Sequence, residues 1–190
     1  MKRSFDPGAA GPTELRSSGP ALDRARAIAP ERYRHILGHF CTGVTVVTTL
    51  SETTPVGFTC QSFSAVSLDP SLVLVCPRTA SQSWRSMERA GVFAVNVLGA
   101  HQQEISHAFS MVGDRFGGVG WTPGPETGSP ILDDVLAWVE CAISSAVEAG
   151  DHMLIIGRVL DLAADTGEPL LFFRGGYGVL GDGGAGRHKR

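Results

Sequence analysis

Gly57-Phe58-Thr59-Cys60-Gln61-Ser62-Phe63-Ser64-Ala65-Val66-Ser67-Leu68-Asp69-Pro70-Ser71-Leu72 is the stretch on which the fold turns. A small polar loop, Thr59-Cys60-Gln61-Ser62, lies between two strand-like runs. Upstream, residues 44–50 (Val-Thr-Val-Val-Thr-Thr-Leu) are β-branched and predict a strand. Residues 51–55 predict a turn into a second strand at 56–59. A third strand is expected at 62–68 and a short, wholly apolar fourth at 72–76. Further strands are expected at 92–98, 137–147 and 153–162, with Gly150-Asp151 as the turn pair between the last two, and one more at 170–174. Many strands joined mainly by hairpins favour an antiparallel barrel in a mainly β chain with a few helices.

Three helical segments interrupt this pattern. Residues 31–40 place Tyr33, Ile36, Leu37 and Phe40 on helical spacing. Residues 102–109 form another. Thr79-Ala80-Ser81-Gln82 fits a capping box with Thr79 as N-cap and Gln82 at the third helical position. Trp84, Met87 and Ala90 then make an apolar face, and Gly91 ends the helix. Its first turn carries free N–H groups and the positive dipole end, with Arg78 and two serine hydroxyls beside it. That combination suits a phosphate, although an ordinary capped helix has the same residues.

Composition bounds the function. The chain has 190 residues, 43% hydrophobic, enough to bury one core, and a net charge of −3. Neither nucleic acid nor membrane binding is expected from that charge, and no apolar run reaches membrane-spanning length. Met1 to Gly8 has charges but no apolar signal core, so a cytoplasmic location is expected. Cys41, Cys60, Cys76 and Cys141 form no Cys-x-x-Cys pair and are expected as free thiols. Residues 1–27 and 181–190 are expected to be flexible tails around one domain at 28–180. Gly181-x-Gly183-x-x-Gly186 lacks the strand and helix of a dinucleotide-binding turn. His35 and His39 lie four apart but have no third ligand at a metal spacing, so a helix-surface role is expected. Asp114 and Asp133-Asp134 are expected in turns and not as an acid/base pair.

The segment 57–72, with Gly150-Asp151-His152 and Gly157-Arg158-Val159 downstream, resembles the short-chain flavin reductases, the reductase components of two-component flavin-dependent monooxygenases. The resemblance covers roughly residues 30–180. It implies a six-stranded antiparallel split β-barrel, usually a homodimer. It implies hydride transfer from NADH (or NADPH) to FAD (or FMN), with reduced flavin released to a partner monooxygenase acting on an aromatic or natural-product substrate. By resemblance, Phe58, Thr59, Cys60, Gln61 and Ser62 belong with the flavin ring, and Ser67 with cofactor binding. Cys76, Pro77 and Arg78, with Ser81, Gln82, Ser83 and Trp84, belong with the ribityl and phosphate portion. His152 and Tyr177 are implied at the nicotinamide, and Asp114-Arg115-Phe116 near the flavin. No catalytic acid, base or metal is implied. Other readings of the residues are a pyridoxine-phosphate oxidase-like enzyme of the same barrel group, or a non-catalytic flavin- or haem-binding protein.

Overall fold

The computed structural model describes residues 27–180. The expected tails and the glycine pattern from Gly181 lie outside those residues, apart from Ala27. The chain runs through α1 (Pro30–Leu37), β1 (Thr42–Gly43), β2 (Thr45–Ser51), β3 (Thr54–Cys60), β4 (Phe63–Leu68), β5 (Ser71–Val75), α2 (Gln82–Ala90) and β6 (Val92–Val97). It continues with α3 (Gln103–Ser110), β7 (Trp121–Pro123), β8 (Pro130–Leu132), β9 (Ala137–Ala149), β10 (His152–Ala164), β11 (Leu171–Phe173) and β12 (Gly176–Gly178). The mainly β architecture with a few helices is as expected.

The principal sheet has seven strands in the order β3-β2-β6-β9-β10-β5-β4, and every neighbouring pair is antiparallel. Its two edge strands, β3 and β4, are joined by Gln61 and Ser62 alone. Three Cα steps span at most about 11 Å. In a flat sheet the same edges would lie roughly 29 Å apart, six spacings of about 4.8 Å. The sheet is therefore curled until its edges meet at this corner, and no ladder between β3 and β4 is found among the described residues.

Two apolar clusters follow from the curl. Val47, Val73, Val75, Phe93, Val95 and Ile155 pack with Trp84 and Met87 of α2. Val44, Val46, Leu98, Leu132 and Leu170 pack with Phe109 of α3. Alternation along β2 feeds both, with Val46 on one face and Val47 on the other. Buried Asn96 fastens the layers: its amide donates to Val46 O (3.1 Å) and Thr48 Oγ1 (3.0 Å), and its oxygen accepts from Leu132 N (2.8 Å). Glu140, fully buried, accepts from Glu126 N (3.0 Å) and Thr127 N (2.8 Å) and so ties the loop before β8 to β9. The thiol's own burial, with Glu140 beside it, pushes Cys141 up to about 12, and all four cysteines are unpaired.

Local expectations fare unevenly. Gly91 closes α2 with φ +71°, and Gly150 turns the β9–β10 hairpin with φ +65°. The first helix ends at Leu37, three residues short of the expected Phe40, and buries no residue. The cap of α2 is Ser81 and not Thr79: Ser81 Oγ accepts from Trp84 N (3.3 Å). Thr79 is drawn away because its N–H (3.0 Å) and hydroxyl (3.2 Å) both donate to Asp151 O at the hairpin tip. Gln82 thus opens the helix instead of lying at its third position.

β10 is closely packed at Gly157, beside a register shift against β9. A Cβ there would lie 2.5 Å from Phe93 Cζ and 3.0 Å from Cys141 Cβ. Gly157→Ala should cost about 1–3 kcal/mol by overpacking. Urea denaturation checks this; an unchanged midpoint at unchanged slope would refute the packing described.

Candidate functional site

The corner between β3 and β4 is fastened from several sides. Thr45 Oγ1 donates to Cys60 O (2.7 Å), and Thr59 Oγ1 donates to Ser106 O of α3 (2.6 Å). Ser83 Oγ of α2 donates to Gly57 O (3.1 Å). Gly57 has to be glycine, since a Cβ would meet Phe109 Cε1 at 2.8 Å and Val47 O at 3.0 Å. The side chains of α2 and α3 thereby converge on β3, and a cavity of about 700 Å³ opens between the corner, the start of α2 and the end of α3.

Most of the residues singled out in the sequence meet in this cavity. Phe58, Thr59, Cys60, Gln61 and Ser62 line one wall; Cys76, Pro77, Arg78 and Ser81 line another, with His152 beside them. Ser62 Oγ stands 3.6 Å from Cys60 Sγ and donates to Cys76 O (3.4 Å). Burial pushes the Cys76 thiol up, the Ser62 hydrogen bond opposes it, and Cys60 adds to the rise. The Cys76 thiol therefore acts as a small apolar wall near neutral pH.

Other expected residues lie elsewhere. Ser67 is on β4, outside the cavity lining. Gln82 is exposed on the helix surface, and Trp84 is buried in the first apolar cluster with Met87. Trp84 shares the buried face of α2 with Met87, three residues on, while Gln82 lies on the opposite, exposed side. Ser83 is buried and committed to Gly57 O. Tyr177 lines a different cavity with His101, Glu104 and His107, on the far side of α3. Its hydroxyl is 2.9 Å from Ser106 Oγ, and Ser106 in turn accepts from Thr59 through its carbonyl, so Tyr177 touches the first cavity only through α3.

Phe109, Ser110 and Arg115 also line the cavity. The sequence placed Arg115 only generally near the site. Its signal was the Asp114 turn: Asp114 Oδ1 accepts from Phe116 N (3.1 Å) and Gly117 N (3.0 Å).

His152 stands at the first position of β10, joined to Arg78 by an isolated bridge. Its Nδ1 lies 2.8 Å from Asp151 Oδ1. The His152 hydrogen bond and charge hold the exposed Asp151 carboxyl below its ordinary value, with Arg78 adding to the effect. Being lowered, this contact is intact above the normal carboxylate range and is lost only as pH falls through the lowered value. Near neutrality Asp151 is anionic and engages Nδ1, so Nε2 takes no part in this contact.

The donor set suits an anionic, flat ligand. Gln82 N–H and Ser83 N–H have no partner within the helix ladder, Ser81 supplies a hydroxyl, and Arg78 and Arg115 supply charge. No Asp or Glu lines the cavity. Phe58 offers apolar surface, and residues 59–62 offer polar edges. His35 and His39 stay on the surface, with His39 Nδ1 2.9 Å from His35 O, and no metal-binding cluster occurs among the described residues.

Comparison with known proteins agrees with this geometry. The family described as flavin reductase like domain matches residues 37–181. A flavin-dependent monooxygenase reductase subunit, HsaB, of Rhodococcus jostii is 49% identical over 162 residues, covering 84% of this chain and 83% of that one. The crystal structure of nitrilotriacetate monooxygenase component B from Mycobacterium thermoresistibile superposes with a TM-score of 0.80 at 41% identity, covering 90% of this chain and 94% of that one. The NADH:FAD oxidoreductase SgcE6 of Streptomyces globisporus, solved with NAD and FAD fragments, gives 0.78 at 34% identity, covering 84% and 99%. With a match over three-quarters of its length and a relative 49% identical over most of both chains, the chain belongs to the flavin reductase like domain family.

Proposed function

We infer that this protein is an NADH-dependent flavin reductase that supplies reduced flavin to a partner monooxygenase. The single observation that carries the reading is the cavity itself: a polar-edged, carboxylate-free corner set beside a helix start, in a chain of this family. FAD is favoured over FMN, NADH over NADPH, and an aromatic or natural-product substrate for the partner. The favoured coenzyme rests on the lack, among the described residues, of an arginine cluster suited to a 2′-phosphate. Free thiols agree with a cytoplasmic setting. The curled sheet is taken as a split barrel whose open seam lies between β3 and β4.

A flavin held by residues 59–62 and the start of α2 would supply the ring chemistry that takes up a hydride from a nicotinamide. The chain's residues need only bind and orient, because no proton has to be moved by a side chain at the reacting atoms. The backbone and hydroxyls of Thr59 to Ser62 hold the ring edge. Ser81 and the first-turn N–H groups of α2, with Arg78, hold the phosphate end. His152, fixed through Asp151, presents Nε2 over the cavity and positions the nicotinamide. Tyr177 acts behind α3, by supporting Ser106 and through it Thr59.

Assembly as a homodimer completes the reading. Leu68 (94% exposed) and Val66 on β4, with Leu160 and Leu162 on β10, are bare at one end of the sheet. A second copy would cover such apolar strands. Light scattering at micromolar concentration should give twice the monomer mass; a monomer turning over at full rate would refute this.

NADH oxidation should depend on added flavin, and a protein that merely binds flavin would show none. His152→Ala should lower kcat/KM for NADH about tenfold, equivalent to about 1.4 kcal/mol of transition-state stabilisation. Flavin affinity and melting temperature should hold, since His152 is part-exposed and outside both apolar clusters. Steady-state kinetics at saturating flavin, paired with a thermal melt, decide the matter: a depressed melt beside normal kinetics would make the residue structural.

A further inference from the structure

The hydroxyls around the β3–β4 corner are engaged within the protein. Thr59 Oγ1 donates to Ser106 O (2.6 Å), Ser62 Oγ to Cys76 O (3.4 Å), and Ser110 Oγ, at the end of α3, to His107 O (2.7 Å). Each hydroxyl has one proton, so none of the three has a donor left for a ligand. Gln61 is the exception. It lines the cavity, it is exposed, and its side-chain amide makes no hydrogen bond among the described residues. That amide carries two N–H donors beside a carbonyl acceptor. It stands on a backbone pinned on either side, at Cys60 O by Thr45 and at Ser62 by Cys76.

Strand register places this amide. Phe63 pairs with Val75, and Val75 with Ile155. Beyond the strand ends Ser62 still reaches Cys76 O, and Arg78 bridges His152. Gln61 and His152 therefore flank the segment Cys76–Arg78 from opposite sides, two strand spacings or about 10 Å apart. A pyridine ring laid between them, with His152 at one edge, turns its substituent towards Gln61. Two primary amides meet through a pair of N–H···O bonds, each donating once and accepting once. A flavin imide offers a similar donor and acceptor, but the backbone groups of residues 61–62, which have no ladder partner, already serve that edge.

We propose that Gln61 pairs with the carboxamide of the nicotinamide and selects the hydride donor by that group. The proposal rests on the flavin reductase reading of the cavity. Its measure is the ratio of kcat/KM for NADH to that for reduced 3-acetylpyridine adenine dinucleotide. The analogue has a methyl ketone in place of the carboxamide, so it keeps the acceptor and lacks the N–H donors. Comparing ratios between proteins cancels the analogue's own reactivity and any general damage from a substitution.

Steady-state kinetics at saturating flavin test it in the wild-type protein, Gln61→Leu and Gln61→Glu. In Gln61→Leu the preference for NADH should fall about fivefold, within the range of one hydrogen bond. Gln61→Glu still accepts from the carboxamide and has nothing to give the ketone, so its preference should match or exceed that of the wild type. An unmoved ratio in Gln61→Leu would overturn the proposal, whether both rates fall together or neither changes. So would a ratio in Gln61→Glu that falls as far as in Gln61→Leu. Weaker flavin binding beside an unmoved ratio would make Gln61 a flavin contact and overturn the proposal too. If Gln61→Leu fails to fold, Gln61→Ala removes the same polar atoms and is read in the same way. A wild-type protein without flavin-dependent NADH oxidation would overturn the reductase reading itself.

Discussion

Everything at the site depends on a two-residue connection between the edges of a seven-stranded sheet. Gln61 and Ser62 are too short to bridge a flat sheet, so the sheet must curl. The curl creates an inside for Val47, Phe93 and Ile155, and an outside on which Val46 and Phe109 pack. It also leaves a seam where backbone groups at the corner have no ladder partner. In water such a seam invites pairing with another chain. Here Thr45 satisfies Cys60 O, and Thr59 ties β3 to α3, while the remaining polar groups at residues 61–62 face the cavity. Folding and binding thus use the same local geometry.

The long strands were legible because β-branched residues recur with turn residues between them. The 13-residue strands β9 and β10 run two residues or so beyond their expected ends, since Gly150 lets the hairpin close tightly. The two- and three-residue strands β1, β7, β8 and β12 were not foreseen, apart from the vicinity of Leu170. Segments so short show no period of their own and form only when a neighbouring segment offers hydrogen bonds. The order of strands in the sheet was beyond pattern reasoning for the same reason: pairing across the β6–β9 boundary is a long-range event.

Within the site, contiguous residues were legible and dispersed ones less so. Phe58 to Ser62 and Cys76 to Arg78 flank a hairpin, so locating one locates the other. Trp84 shows the limit. It lies three residues from Met87, a spacing that already marked an apolar helix face, and the core claimed it. Tyr177 was placed with His152 because both stand in motifs of one family, yet α3 separates them. A motif reports that residues occur together in sequences, and not which side of a helix they occupy.

The absence of carboxylates from the cavity wall has a consequence for arrival. The chain has a net charge of −3, so an approaching anion meets a weakly repelling surface over most of the molecule. At this one concavity Arg78, Arg115 and the helix start reverse the sign. Low-dielectric walls focus such a field outward, but dissolved salt confines its reach to about 8 Å at physiological ionic strength. Capture of an anionic ligand there is therefore guided only over the last molecular diameter, and its speed is tied to the ionic strength of the medium more than its selectivity is.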